Sequence, residues 1–379
     1  MIVATAALCL MGQIELRGLE TAPVSIVVGV NRQGVLLSEN AASPASYLVG
    51  WDRVARVGGV HAPEAKAFEQ AAIEAWRART RLERGDAISA EPLFEKLFED
   101  YAGDAGPLSV VVCEGLLRCR LRRGAQVGAM EPWMALLDSR RYSETGPLWV
   151  GEDWSSEAGL SPVIDEASGL VPALPPMALA WPALSGLATE GDASLRSGRA
   201  GALAALYSHA ARFELGEPST LASPTDQHWS VQLVYDIVLA RTGDAAQRRQ
   251  ARDRLSRRIT QGADPWVEAW CRAGIGRSLV KESSAEDRLL GVLELLHVPA
   301  RFEESQAYLS GVALGECVIV LSELGDDSSA KVLARELAQR YRGHPVLDWA
   351  PVTMYLGRGI VRSDWHGDRG LALVEQGAP

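Results

Sequence analysis

Four acidic side chains in one stretch of the chain come closest to the residue types that perform catalysis. Glu152 and Asp153 are adjacent, and Asp165 and Glu166 follow a short distance later. Two carboxyl groups held on either side of a glycosidic bond can act as acid and base in its hydrolysis. Acidic residues in a loop more commonly meet only water. A hydrolase acting on cell-wall glycans is therefore the alternative function that the sequence leaves open.

The common catalytic and cofactor-binding motifs are absent from the sequence, which has no P-loop, GxSxG, HExxH or EF-hand loop. Gly274 and Gly276 are spaced like the start of a dinucleotide-binding fingerprint. The third glycine is missing, however, and a helical pattern surrounds them, so we predict close helix packing there. No CxxC pair exists, and four cysteines in apolar helical patterns predict small buried side chains: Cys113, Cys119, Cys271 and Cys317. We expect no cofactor, no metal site and no catalysis.

A cluster of arginines stands out in a chain whose net charge is −10. The acidic balance argues against a general binder of nucleic acid or of anionic membranes. The cluster predicts either a docking face for an acidic partner or for phosphate groups, or a solvated helix face with arginine stems covering apolar surface. Arg248 and Arg252 are its candidate contact residues. The whole cluster comprises Arg241, Arg248, Arg249, Arg252, Arg254, Arg257 and Arg258.

The first residues are apolar and small. Met1–Gly12 has the length of the hydrophobic core of a signal peptide but no basic segment before it. We interpret residues 1–14 as a signal-peptide remnant, with a first buried strand as the other interpretation. The expectation is an exported bacterial protein, in the periplasm, and otherwise a cytoplasmic one. No apolar run reaches the length of about 18 to 20 residues that a membrane span needs.

Residues 15–60 have the pattern of a small β module. Apolar Ser25–Val30, a turn at Asn31–Gly34 and a return strand at Val35–Ser38 predict a hairpin, and Tyr47–Val49 and Val54–Val57 continue the pattern. The pattern is similar to SH3-like or Sm-like sheets. From Ala62 onward the apolar period becomes helical, so we predict an essentially all-helical remainder.

The helical part repeats one unit, in which a glycine turn is followed by apolar residues five, nine and twelve positions later. These positions hold Ala90, Phe94 and Leu97 after Gly85, then Ala129, Trp133 and Leu136 after Gly124, and Ala330, Ala334 and Leu337 after Gly325, with a looser copy at Gly243 and Ala251. This spacing resembles the tetratricopeptide repeat (TPR). We therefore predict TPR-like helical hairpins over 61–140, a helical repeat region over 196–362 and a tail over 363–379. Stacked hairpins form an αα-solenoid, and a HEAT-type solenoid stays open as the alternative.

The resemblance to TPR proteins also implies where a ligand would bind. In that family the first helices of the hairpins line a groove that holds a peptide. The matching positions that carry charge in this chain are Arg79, Glu114 and Arg118. These three are the candidate groove contacts.

Residues 141–195 interrupt the helical pattern with many prolines and with Trp149, Trp154 and Trp181. Non-periodic segments of this length are either functional or linkers. A solvated linker would not carry so much apolar surface, since each buried large side chain gains about 1.5 to 3 kcal/mol. We predict that residues 146–182 dock on the helices and partly fill their groove, with Trp149 and Trp154 as candidate partner contacts.

Taken together, these patterns predict a mainly α protein without catalysis of its own. Its expected function is protein–protein interaction or scaffolding in the bacterial cell envelope. The expected partner is another protein or a peptide, with no nucleic acid and no membrane span. The sequence leaves the oligomeric state open.

Overall fold

A computed structural model shows the fold and describes residues 14–18, 26–38, 46–141, 148–150, 154–177 and 198–356. The described chain is mainly helical, with a small sheet near the N-terminus. It divides into two compact units, the first made of residues 1–120 and 128–162 and the second of residues 121–127 and 163–379. Most of the predicted signal-peptide remnant and the whole tail over 363–379 lie outside the described residues.

The strands of the first unit form two sheets. Strand β1 (Ile14–Leu16) pairs antiparallel with β5 (Val54–Val57). Strands β2 (Ile26–Asn31), β3 (Gly34–Ser38) and β4 (Ser46–Gly50) form an antiparallel meander. The predicted hairpin around Asn31–Gly34 is thereby confirmed. The Asn31 side chain closes its turn by accepting the Gln33 and Gly34 N–H groups at 2.8 and 3.0 Å.

A strand that the sequence analysis missed completes the second sheet. Strand β6 (Leu148–Val150) pairs parallel with β4, with Leu48 opposite Trp149. The remainder after Ala62, predicted to be essentially all-helical, thus also contains a three-residue strand, and the beginning of the predicted insertion extends the sheet. Three residues show no period of their own, and their strand conformation depends on a partner about 100 positions earlier, so local patterning could not reveal it.

Helices α1 to α6 follow the first strands. Their bounds are α1 Ala62–Ala65, α2 Glu69–Glu83, α3 Ala87–Tyr101, α4 Pro107–Arg122, α5 Gln126–Arg141 and α6 Trp154–Glu157. Helices α2 and α3 pack as an antiparallel hairpin. Helix α4 crosses α3 closely, because a Cβ on Gly115 would lie 2.2 Å from the Phe94 ring.

The second unit contains the remaining helices. Their bounds are α7 Gly198–Glu214, α8 Trp229–Thr242, α9 Ala245–Thr260, α10 Pro265–Leu279, α11 Ala285–Phe302, α12 Ala307–Glu323, α13 Asp327–Arg340 and α14 Ala350–Thr353. From α7 to α13 each helix packs on the next, and α8, α10 and α12 also contact one another in sequence. None of the helices described here combines the length and apolar character that crossing a membrane requires.

The repeated glycines lie at the turns where the sequence predicts them. Gly85, Gly124 and Gly325 have φ values of 80°, 76° and 81°, a left-handed conformation that a side chain disfavours. Asp86 and Asp326 follow two of them and cap the next helix by accepting the N–H groups of the residues three positions on. The looser copy differs, since Gly243 has φ of −72° and its turn depends on the capping box of Asp244.

The apolar positions of each repeated unit form the contacts between helices. The residues five, nine and twelve positions after Gly85, Gly124 and Gly325 are all buried. Alanine at the first of these positions allows the second helix of the hairpin to approach the first closely. Gly276 works in the same way: a Cβ there would lie 2.9 Å from the Gly291 carbonyl oxygen of α11. The prediction of close helix packing at this glycine is thus confirmed.

Gly276→Ala should destabilise the protein by about 1 to 3 kcal/mol, because the added methyl group forces α10 and α11 apart. Gly274→Ala is the matched control in the same helix, since its Cβ would meet only side-chain atoms, the nearest being Leu255 at 3.2 Å. That variant should be neutral or more stable, because alanine favours the helix. Urea unfolding of the two variants measures the difference, and equal stabilities would contradict the close crossing.

His344 lies at the end of the last repeated hairpin and is buried against α12. Its Nε2 donates to the Tyr308 carbonyl oxygen at 3.0 Å, and its Nδ1 accepts the Val346 N–H at 3.1 Å. The ring stacks on Tyr308, and a Cβ on Gly311 would lie 2.6 Å from it. Both nitrogens are satisfied only in the neutral imidazole. Burial lowers the pKa of His344 to about 4, while the bond to Tyr308 opposes this shift.

The stability of the protein should therefore fall as the pH drops from about 6.5 to about 4. In that window the unfolded chain binds a proton at this histidine and the folded chain does not. The free energy of unfolding therefore falls by about 3 kcal/mol across the window. His344→Gln should remove this contribution to the slope. His297→Gln, at an exposed position of α11, is the control and should keep it. Denaturant unfolding at several pH values measures how the free energy of unfolding depends on pH. Identical pH dependences for wild type and His344→Gln would contradict this assignment.

Candidate functional site

Arg79, the first candidate groove contact, is held by the chain itself. It projects from α2, where its Nη1 lies 2.7 Å from Asp52 Oδ2 and its Nε lies 2.7 Å from Glu83 Oε1. Its guanidinium also lies 5.6 Å from the ring centroid of Trp154, whose side chain is fully buried. Burial opposes the charge of Arg79, but the two carboxylates outweigh it and raise the pKa of the guanidinium. Arg79 thus positions the first residue of α6.

The other two candidate groove contacts form a buried ion pair. Arg118 Nε and Nη2 both donate to Glu114 Oε1, at 2.9 and 2.8 Å, one helical turn away on α4. Arg140 of α5 donates to the second Glu114 oxygen at 3.3 Å. The remaining Arg118 nitrogen, Nη1, donates to the main-chain carbonyl of Ser161 at 2.9 Å. The residues assigned to ligand binding therefore hold residues 154–161 of the insertion.

A second part of the insertion docks within the second unit. Trp270 Nε1 on α10 donates to the Pro172 carbonyl at 3.1 Å, and the Tyr207 hydroxyl on α7 donates to the Leu174 carbonyl at 2.5 Å. Burial raises the pKa of Tyr207 well above its usual value, so this hydroxyl keeps its proton and remains a donor. The buried apolar residues of this segment are Val163, Ile164, Leu170, Val171, Leu174 and Met177.

Within the predicted docking segment 146–182, the described residues 154–177 contact helices, while the predicted filling of a groove stays a prediction. Trp154, Leu170, Val171 and Met177 are buried. Trp149 belongs to β6 by its backbone, and its side chain is outside the described residues, as is Trp181. One mode of contact recurs in both units: side chains of long helices donate to main-chain carbonyls of a non-helical segment.

The arginine cluster is largely neutralised by carboxylates of neighbouring helices and of the turn between α10 and α11. Arg248 and Arg252 both bind Glu282, at 3.3 and 2.8 Å, and Arg252 also donates to Ser278 Oγ at 2.9 Å. Arg254 binds the buried Asp236 at 2.6 Å. Burial raises the pKa of Asp236 despite its arginine neighbours. Arg249 and Arg257 are the members of the cluster that lie exposed, so the face available to an acidic partner is much smaller than the sequence indicates.

Of the four carboxylates of the alternative function, the structure describes Asp165 and Glu166. Asp165 is half-buried and closes its own turn, since its Oδ1 accepts the Ser168 N–H at 2.8 Å. Glu166 is exposed. Glu152 and Asp153 lie outside the described residues. Within the described part, no group of three or more histidine, cysteine or acidic side chains is arranged to hold a metal ion.

The four cysteines that the sequence predicts to be buried are buried, and each is a thiol. They are Cys113, Cys119, Cys271 and Cys317. Burial raises the pKa of Cys271 to about 12 and also raises that of Cys317. Since the thiolate is the reactive form, neither thiol is a nucleophile near neutral pH.

In a Cys9→Ser variant, which removes the cysteine outside the described residues, the folded protein should not react with Ellman's reagent at about pH 8. At that pH only about one Cys271 thiol in ten thousand is ionised. All four thiols should react in urea. Rapid reaction of any one of them in the folded protein would show that its surroundings admit solvent, contrary to its burial.

Comparison with known proteins gives no match: no family model, no curated protein and no solved structure is significantly similar to this chain. Assignment of function therefore depends on the contacts described above. Two of the residues that make them, Tyr207 and Trp270, were missed by the sequence analysis. The signal that could have found them is an aromatic hydrogen-bond donor in a helix of a chain that also has a proline-rich segment. The sequence alone does not show that the donor and the segment are in contact.

Proposed function

We propose that this chain is a non-catalytic helical-repeat protein that binds an extended segment of another protein. The observation that carries the proposal is the recurring contact with main-chain carbonyls: Arg118 to Ser161, Trp270 to Pro172 and Tyr207 to Leu174. Recognition of main-chain groups is how many peptide-binding domains gain affinity, with side-chain pockets adding specificity. The insertion is the resident ligand in this proposal.

The repeated hairpins support the same function. Gly85, Gly124 and Gly325 turn the chain in one conformation, and the residues that follow them pack in the same positions. We propose that the hairpins are TPR-like and form a solenoid, a class that usually holds other proteins. A small SH3-like or Sm-like module, export to the periplasm and scaffolding in the bacterial cell envelope remain part of the proposal. Asp165 is engaged in its own turn, so the contacts give no support to a glycan hydrolase.

The test uses the folded full chain with protease sites inserted after Pro162 and after Ser185. Cleavage at both sites should leave residues 163–185 bound without a covalent link. A labelled synthetic peptide of the same sequence should then exchange into the site, as measured by fluorescence anisotropy. Tyr207→Phe should raise the dissociation constant of the peptide by about two- to tenfold, which corresponds to the loss of one hydrogen bond.

Tyr235→Phe is the matched control, because the Tyr235 hydroxyl lies 3.2 Å from the exposed Ser223 Oγ, away from the insertion carbonyls that Tyr207 and Trp270 hold. It should leave peptide affinity unchanged. If cleavage unfolds the protein, or if the labelled peptide never exchanges, residues 163–177 are part of the core and the proposed peptide site is wrong.

A further inference from the structure

Helix α11 presents an exposed row of residues with coiled-coil spacing. Glu286, Leu290, Leu293, His297 and Ala300 are all exposed, and the intervals between them are four, three, four and three. Leu290 is 48% exposed and Leu293 is 58% exposed. We call these five residues the α11 seam. The alternation of four and three is the spacing of the core positions of a coiled coil, which place apolar residues against a partner helix.

The α11 seam differs from the exposed face of α9 in the same unit. Helix α9 exposes Arg249, Gln250, Asp253, Ser256 and Arg257, which is typical of a helix face in water. Beside the seam, Leu289 is 47% exposed. Three leucines with about half their surface in water on one helix face form a contiguous apolar patch, and such patches mark interaction sites.

The polar residues at the two ends of the seam indicate which partner covers it, because a glutamate carboxylate can accept a hydrogen bond from a histidine ring. Glu286 lies at the N-terminal end and His297 toward the C-terminal end, with Leu290 and Leu293 between them. In an antiparallel pair of two α11 helices, Leu290 lies opposite the partner's Leu293, and Glu286 lies opposite the partner's His297. A parallel pair would instead place Glu286 opposite the partner's Glu286. The seam is therefore self-complementary in the antiparallel arrangement alone, as a two-fold symmetric interface requires.

We propose that a second copy of this chain occupies the α11 seam, and that the two α11 helices pair antiparallel about a two-fold axis between Leu290 and Leu293. The seam spans only about two heptads, so the dimer is weak and forms in a concentration-dependent way. The proposal is independent of peptide binding, because the residues of the α11 seam are not those that hold Ser161, Pro172 and Leu174.

Sedimentation velocity of the full chain over about 1 µM to 1 mM measures the association. The wild type should show a reversible monomer–dimer equilibrium. Leu293→Asp should raise the dissociation constant at least about tenfold, since each dimer loses two leucine layers. The matched control is Ile88→Asp, which changes an apolar residue with 83% exposure in the first turn of α3. That control should leave the dissociation constant unchanged.

Substitutions that change the charges at these positions test whether Glu286 of one copy lies opposite His297 of the other. Glu286→Lys should weaken the dimer by about two- to tenfold, because it removes two attractive contacts per dimer. Combining it with His297→Glu places a lysine opposite a glutamate in the antiparallel register and should recover most of the affinity that Glu286→Lys alone loses. Failure of the double variant to recover any affinity would overturn the antiparallel register.

Disulfide trapping tests the direction of the helices. In the Cys9→Ser background, Glu286→Cys mixed with His297→Cys should form a disulfide-linked dimer under mild oxidation. Glu286→Cys alone should not, because the two copies of position 286 would lie about 16 Å apart along the helices, beyond the range of about 7 Å between Cα atoms that a disulfide allows. The proposal is overturned if Glu286→Cys links preferentially to itself. It is also overturned if the chain stays monomeric at all concentrations, in which case a second copy is not what covers the seam.

Discussion

The second unit depends on the need to cover helices that are apolar on every side. Helix α12 is buried at every position from Ala307 to Leu321 except Ile319. A helix of that kind has no face for water and must be enclosed by other elements. Helices α11 and α13 cover two sides of it. The turn after α13 covers another, with His344 against Gly311 and Val346 against Gly315.

The same constraint accounts for the docked insertion. Trp270 on α10 is fully buried, and its indole N–H finds its acceptor in the Pro172 carbonyl. Without that segment a large apolar ring and a polar N–H would both lose their partners, which is costly for a buried donor. A non-helical segment suits this position because its own main-chain carbonyls are not used within a helix.

Charged groups that are buried inside this unit also need partners from neighbouring helices. Arg277 on α10 is buried and lies 2.7 Å from Glu214 and 2.9 Å from Glu316, on α7 and α12. Burial opposes its charge, yet the two carboxylates raise the pKa of the guanidinium. A buried ion pair adds little net stability, but loss of one partner leaves a charge without compensation. We infer that this cluster fixes how the helices are rotated relative to one another.

The sequence pattern predicted those features that depend on residues close together in the chain. The glycine turns, the alanines five residues later and the close approach at Gly276 could be predicted, because each depends on backbone conformation or side-chain size at a set spacing. Strand β6 could not be predicted, since its partner β4 is distant in sequence. The arginine cluster shows the same limit. Arg252 looks available until Glu282, thirty positions later, folds against it.

The proposed function, in which the chain's own segment occupies the binding site, sets a threshold for the affinity of any partner. A tethered segment acts at an effective concentration of about 1 mM. If residues 163–177, cut free, bound with a dissociation constant of about 10 µM, the tethered segment would occupy the site about 100 times more often than not. A competing peptide would then bind about 100-fold more weakly than to an open site. Under this proposal the side chains that hold Pro172 and Leu174 contribute to the stability of the second unit and also set the affinity that a partner must reach.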